Sequence, residues 1–197
     1  MTSKSECLLP LFTSAEDVHN NACINWYHDP LELYATAYKE AADKLAKEVI
    51  NSHRQQDTLV YPIVFLYRQY IELRLKEIIR EGRRLLEEPR GFPMHHRIHD
   101  LWPIAKKIIE KVFVDEDAKQ NYEFAEHVFA EFSNYDPESF SFRYPTDKNG
   151  NNPLSGLTHI NVRHLAETID LLAKILEGAS AGISVYRDWQ NDMYSSI

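Results

Sequence analysis

From Asp29 onward, apolar residues recur every three or four positions with charged residues between them, a period that predicts amphipathic helices. The first helix is expected to begin at about residue 30. Asp29 precedes Pro30, and Glu32 stands three residues after Asp29, which combines a capping side chain, a first-turn proline and a capping box. Leu31, Tyr34, Ala35, Tyr38, Ala42, Leu45 and Val49 form its apolar stripe. The second helix, about 58 to 87, is apolar nearly all round in its first half and reads as the central one, with Asp57 placed to cap it. Pro62 falls near its first turn, where a missing N–H costs little. The second half turns charged toward Pro89 and Gly91, which predicts an exit into solvent.

A third helix is predicted over about 100 to 114, with Leu101, Ile104, Ala105, Ile108 and Val112 on one face and Asp100 as its cap. A fourth follows over about 116 to 134, with the stripe Ala118, Tyr122, Ala125, Phe129 and Phe132, and with Glu116 and Asp117 at the positive end of its dipole. The fifth, about 161 to 187, carries Val162, Leu165, Ile169, Leu172, Leu176 and Ile183, with Asn161 as cap. The pattern therefore predicts an all-α bundle of five helices. Gly178, Ala181 and Gly182 give the last helix a small-residue face, expected to serve tight intramolecular packing.

Between the fourth and fifth helices lies one long irregular segment, Tyr135 to His159, rich in Asp, Asn, Gly and Pro. Loops of this length inside a compact domain are usually functional or disordered, and Phe140, Phe142 and Tyr144 favour an ordered, packed one. Residues 1–28 have no clear period but hold Trp26 and Tyr27, so this arm is expected to dock on the bundle. No internal repeat or low-complexity linker appears. One domain over 29–190 with a tail at 191–197 is the simplest division.

Composition narrows the class without naming a reaction. The chain has 197 residues, a net charge of −8, 44% hydrophobic residues and two cysteines, the profile of one soluble globular domain. No apolar run approaches the roughly 18 residues of a membrane span, and the N-terminus lacks a signal-peptide pattern, so a cytoplasmic protein away from the membrane is expected. Cys7 and Cys23 form no C-x-x-C pair and are expected to be buried or half-buried thiols. Nucleotide-hydrolysing, dinucleotide-binding, serine-hydrolase and cysteine–zinc signatures are all missing.

Charge is distributed unevenly. Residues 61–107 hold ten lysines and arginines against six acids, while the remainder is strongly acidic. A basic sector on an acidic protein can bind phosphate, and Arg68, Arg90 and Arg97 are candidates for it. The alternation of Arg80, Arg83 and Arg84 with Glu77, Glu81, Glu87 and Glu88 also fits a solvated helix end. Arg68, Glu72 and Arg74 stand among apolar neighbours, so they form either a structural ion pair or the lining of a pocket or dimer cleft. In MHHRIHDLW, His95 and His99 share a helical face, but no third ligand is evident and no metal or other cofactor is expected.

Three pieces together resemble the HEPN family, the higher-eukaryote and prokaryote nucleotide-binding helical bundles. They are the central FLYRQYIELRLKEII with Glu72 and Lys76, the His99-Asp100-Leu101 opening the next helix, and the Arg143-Tyr144-Pro145 of the long loop. The resemblance covers about residues 58 to 180. It implies a homodimer and a bacterial toxin–antitoxin or phage-defence role, and in many members a metal-independent ribonuclease with arginine and histidine four to six residues apart. Arginine would hold the phosphate and histidine would exchange a proton with the ribose 2′-hydroxyl. Here no histidine follows Arg143 until His159, whereas Arg90 and His95 meet the spacing in a different place. Two readings follow from this. Either Arg143 works with His159 or His99 on RNA or nucleotides, with Tyr144 beside them, or the chain is a catalytically silent module whose 136–159 loop recognises a partner protein. The first predicts Arg143 and a histidine in one basic cleft. The second predicts Arg143 paired with an internal carboxylate and exposed loop aromatics.

Overall fold

The computed structural model describes residues 10–25, 27, 30–89, 91–113 and 119–195. These form an all-α bundle of five helices: α1 (Pro30–Ser52), α2 (Gln56–Leu85), α3 (Ile98–Val112), α4 (Lys119–Tyr135) and α5 (Val162–Ser195). No strand occurs among the described residues, and residues 136–161 contain no helix. No helix is long and apolar enough to cross a membrane. The chain divides into residues 1–30 and 31–197. Within the first unit, Val18–Asn20 form a 3₁₀ turn, and the Asn21 side chain closes a ring onto the backbone of Ala15 at 2.8 and 2.9 Å. Cys23 is exposed there, contrary to the expected buried thiol; Cys7, Trp26 and Asp29 lie outside the described residues.

In the second unit α2 packs most extensively against α5 and α3, as its apolar circumference requires. Its core side chains include Ile63, Tyr67, Ile71, Leu75, Ile78 and Ile79. Gly82 is where α3 comes closest, because a Cβ there would lie 2.1 Å from Cγ2 of Ile108. Any side chain at 82 would force the two helices apart. Gly182 plays the same part on α5, its missing side chain occupied by the ring of Phe113. The α1 stripe is built on small residues, Ala35, Ala42 and Ala46 with Val49, while Tyr34 faces out. Trp102 of α3 meets Phe129 of α4 at 5.0 Å between ring centroids.

Several boundaries differ from the sequence pattern. α2 begins at Gln56 behind a left-handed Gln55, so Asp57 lies inside the first turn instead of capping it, and Pro62 falls in the second turn. The left-handed residues His53 and Gln55 break the chain between α1 and α2. α3 begins at Ile98, which likewise places Asp100 within its first turn. Asn161 does cap α5, accepting the His164 N–H at 3.0 Å. α5 continues to Ser195, so residues 191–195 are helix and not tail. Glu116, Asp117 and Ala118 lie outside the described residues.

The long segment packs on the core through Phe142, Leu154, Leu157 and Ile160, while most of residues 143–152 are exposed. Asp136 folds its start by accepting the N–H groups of Phe140 and Ser141 at 2.6 and 2.8 Å. Asp147 similarly accepts from Asn149 and Asn151, both at 2.8 Å, and these bonds hold its carboxyl below the usual range. Phe142 is buried, Phe140 half-buried and Tyr144 half-exposed.

Candidate functional site

The turn that Asp136 organises decides where Arg143 goes. The Arg143 N–H returns to the Phe140 carbonyl at 3.0 Å, which directs Phe142 into the core and leaves Arg143 exposed beside it. Its guanidinium carbon sits 5.8 Å from the ring centre of Phe65 on α2 and 5.4 Å from that of Tyr144. Tyr144 is itself stacked on Phe140 at 4.9 Å. Among the described residues no carboxylate pairs with Arg143. An arginine held by π-faces keeps its N–H donors available to a ligand.

Arg143 lines a cleft of about 620 Å³ between the first two turns of α2 and the 141–160 segment. Asp57, Tyr61, Tyr144 and Thr158 also line it, and so does His159. The structure thus brings Arg143 and His159, sixteen positions apart in sequence, to one cavity. His99 is elsewhere, in a groove with Trp102, Glu126 and Phe129 between α3 and α4, where its Nε2 lies 3.2 Å from Asp100. Arg97 is engaged with the same Asp100 at 2.7 Å. Arg90 lies outside the described residues.

Arg68, expected as a phosphate contact, is fully buried at 0% exposure. Every nitrogen of its guanidinium is engaged. Nε donates to the Asp136 carbonyl at 3.0 Å, Nη1 to Glu72 at 3.1 Å, and Nη2 to the carbonyls of His96 and Pro137 at 2.7 and 3.3 Å. A phosphate has no approach to it. Of the two readings open for Arg68 and Glu72, the ion pair is the one found, and it ties the α2–α3 connection and the start of the long loop to the central helix.

Glu72 is 2% exposed and also accepts from Lys76 Nζ and His96 Nδ1, each at 2.8 Å. Burial alone would raise its pKa, but the bonds from Lys76 and His96 outweigh it and hold the carboxyl below its ordinary value. His96 presents 60% of its side chain to solvent. With Nδ1 on the carboxylate, the opposite ring nitrogen is left for solvent. Arg74 belongs to a separate buried set, pairing with Glu77 at 2.8 Å and reaching Ser180 and Thr36 on α5 and α1. Burial would lower its pKa, and Glu77 reverses that. Tyr67 is pushed up by burial and by its 2.8 Å bond to Asp43, which Lys39 joins to Asp170 of α5.

The residues missed from sequence are Asp136, Ser139 and His96. Asp136-Pro137 is a recognisable turn opening, so the role of Asp136 was within reach. The hydrogen bond from Gln69 to the Ser139 hydroxyl at 2.8 Å, and the pairing of His96 with Glu72, depend on tertiary placement that no local spacing encodes. No family model matches the chain, and no curated protein or solved structure matches it at a significant level.

Proposed function

We propose that the protein binds a nucleotide or single-stranded RNA in the cleft between α2 and the 141–160 segment, in keeping with its resemblance to HEPN bundles of bacterial toxin–antitoxin and phage-defence systems. The observation that carries this reading is the convergence of Arg143 and His159 on one cavity, with the guanidinium held by rings and not by a carboxylate. Arg143 contacts the phosphate. Tyr144, half-exposed and stacked on Phe140, offers a face for a base. Asp57 and Thr158 supply polar groups for sugar or base, which favours a nucleotide over bare phosphate. His159 is the group in the same cleft that can exchange a proton with the ribose 2′-hydroxyl.

The interaction-module reading has one observation on its side, the exposure of Tyr61 and Tyr144 at the cleft rim. Fluorescence anisotropy with labelled single-stranded RNA, run beside a cleavage assay in EDTA, separates the two. RNA binding is expected, and Arg143→Ala should weaken it by about ten- to a hundredfold, the value of one charged hydrogen-bonding group. Cleavage lost in both Arg143→Ala and His159→Ala would add the nuclease step. Absence of RNA and nucleotide binding by the wild type would overturn the proposal and leave the partner-protein reading.

A further inference from the structure

The cleft that holds Arg143 also holds a charge of the opposite sign. Asp57, in the first turn of α2, lines it, and among the described residues its carboxylate makes no hydrogen bond or ion pair. The helix dipole favours an acid at that position, but a site for bare phosphate is weakened by one. Asp57, Tyr61 and Phe65 follow at intervals of four and so share one face of α2, and Arg143 stands over the Phe65 ring at 5.8 Å. Asp57 therefore precedes the residue under Arg143 by about two turns, roughly 12 Å along the helix axis. Tyr61 lies between them on the helix and Tyr144 lines the same cleft, each about half exposed.

A ligand that satisfies both ends of this cleft carries an anion at one end and hydrogen-bond donors at the other. We infer that the cleft selects guanine, with Asp57 accepting from N1–H and the 2-amino group of the base while Arg143 holds the phosphate, an inference that rests on the reading of the cleft as a nucleotide site. Guanine is the base whose Watson–Crick edge sets two donors side by side, the pattern that a carboxylate accepts with both oxygens. Adenine and cytosine each place one amino donor beside a ring-nitrogen acceptor, and uracil flanks its N–H with two carbonyls. Each of these turns a lone pair toward the carboxylate. The tyrosines offer stacking faces that every base can use, so the choice among bases falls to Asp57. Two turns of helix is also the scale of a nucleotide from its phosphate to the outer edge of a purine.

Calorimetric titration of the full chain with guanosine, inosine and adenosine 5′-monophosphates tests it, beside anisotropy of labelled hexauridylates that carry one central guanosine or adenosine. The guanosine nucleotide is expected to bind roughly ten- to a hundredfold more tightly than the adenosine nucleotide, the value of one bidentate base contact. Inosine monophosphate keeps N1–H but lacks the 2-amino group and should fall between them. Guanine preference in the strands as well as the free nucleotides assigns the site to RNA, and preference in the nucleotides alone assigns it to a free nucleotide; either supports the selection. Asp57→Ala should bring the guanosine and inosine nucleotides down to the adenosine affinity and leave that affinity no weaker, which a loss of structure would not do. Asp57 is exposed, so circular dichroism of the variant should match the wild type. Equal binding of the three nucleotides, all weakened by Arg143→Ala, overturns guanine selection while the nucleotide cleft stands. So does a guanine preference that Asp57→Ala leaves intact. A wild type that binds neither nucleotide nor strand overturns both.

Discussion

Two arginines set against the same helix show two different uses of one side chain. Arg68 is buried with every guanidinium nitrogen on a carbonyl or carboxylate, while Arg143, beside Phe65 one turn earlier on α2, is exposed and rests on aromatic rings. The first joins α2 to Asp136, Pro137 and His96. The second projects from the turn that Asp136 shapes. An arginine whose donors are all engaged inside the protein is architecture, and one held only by π-faces is available for recognition. The buried one therefore positions the exposed one.

Stability should divide the pair most sharply. Arg68→Met leaves the buried Asp136 without its cation and Glu72 with Lys76 as its one remaining buried cation, and is expected to destabilise the fold by about 3–5 kcal/mol, measured by urea unfolding. Arg143→Ala removes an exposed side chain and should change stability by no more than about 0.5 kcal/mol. An equal loss in both variants would erase the distinction.

Ligand binding should divide them in the opposite sense. Tyr144→Ala removes the proposed stacking face and should weaken RNA by about 1 kcal/mol or more, five- to tenfold, with stability nearly unchanged. Anisotropy titration of the variant beside the wild type measures this. A variant that binds as well as the wild type would show that Tyr144 serves only to hold Arg143.

The pairing of fold and site was only partly open to reading from sequence. The helices were legible because each carries an apolar stripe with helical spacing, and Asn161 caps α5 as its side chain allows. Their ends were less so. Asp57 and Asp100 are good capping residues, yet α2 and α3 begin a residue or two earlier, behind Gln55 and Arg97, neither of which makes a side-chain cap hydrogen bond. Charged residues within an apolar run marked Arg68 and Glu72 as special, but burial alone decides between ligand contact and ion pair. Arg143 stood out by its place in the one long loop. His159 joins it through tertiary folding, and His99, adjacent in motif order, does not.

A smaller effect concerns acid. Because the folded protein holds Glu72 below its ordinary value, the unfolded chain binds that proton more readily. Its contribution to stability is complete above the unfolded value of about 4.3 and is lost as pH falls through the lower folded value. Urea midpoints measured downward from neutral pH should therefore fall in that acid window, and less steeply in a His96→Ala variant, which lacks one of the two bonds that lower the carboxyl. Identical acid slopes would show that His96 does not help to set the Glu72 carboxyl.

The most direct test of the difference between the two arginines observes both at once. In ¹⁵N-labelled protein, the Nε–H resonances of Arg68 and Arg143 can be followed while single-stranded RNA is added. The Arg143 signal is expected to move to saturation while the Arg68 signal, locked on the Asp136 carbonyl, stays in place. An Arg143 signal that does not move at saturating RNA would contradict its role as the phosphate contact.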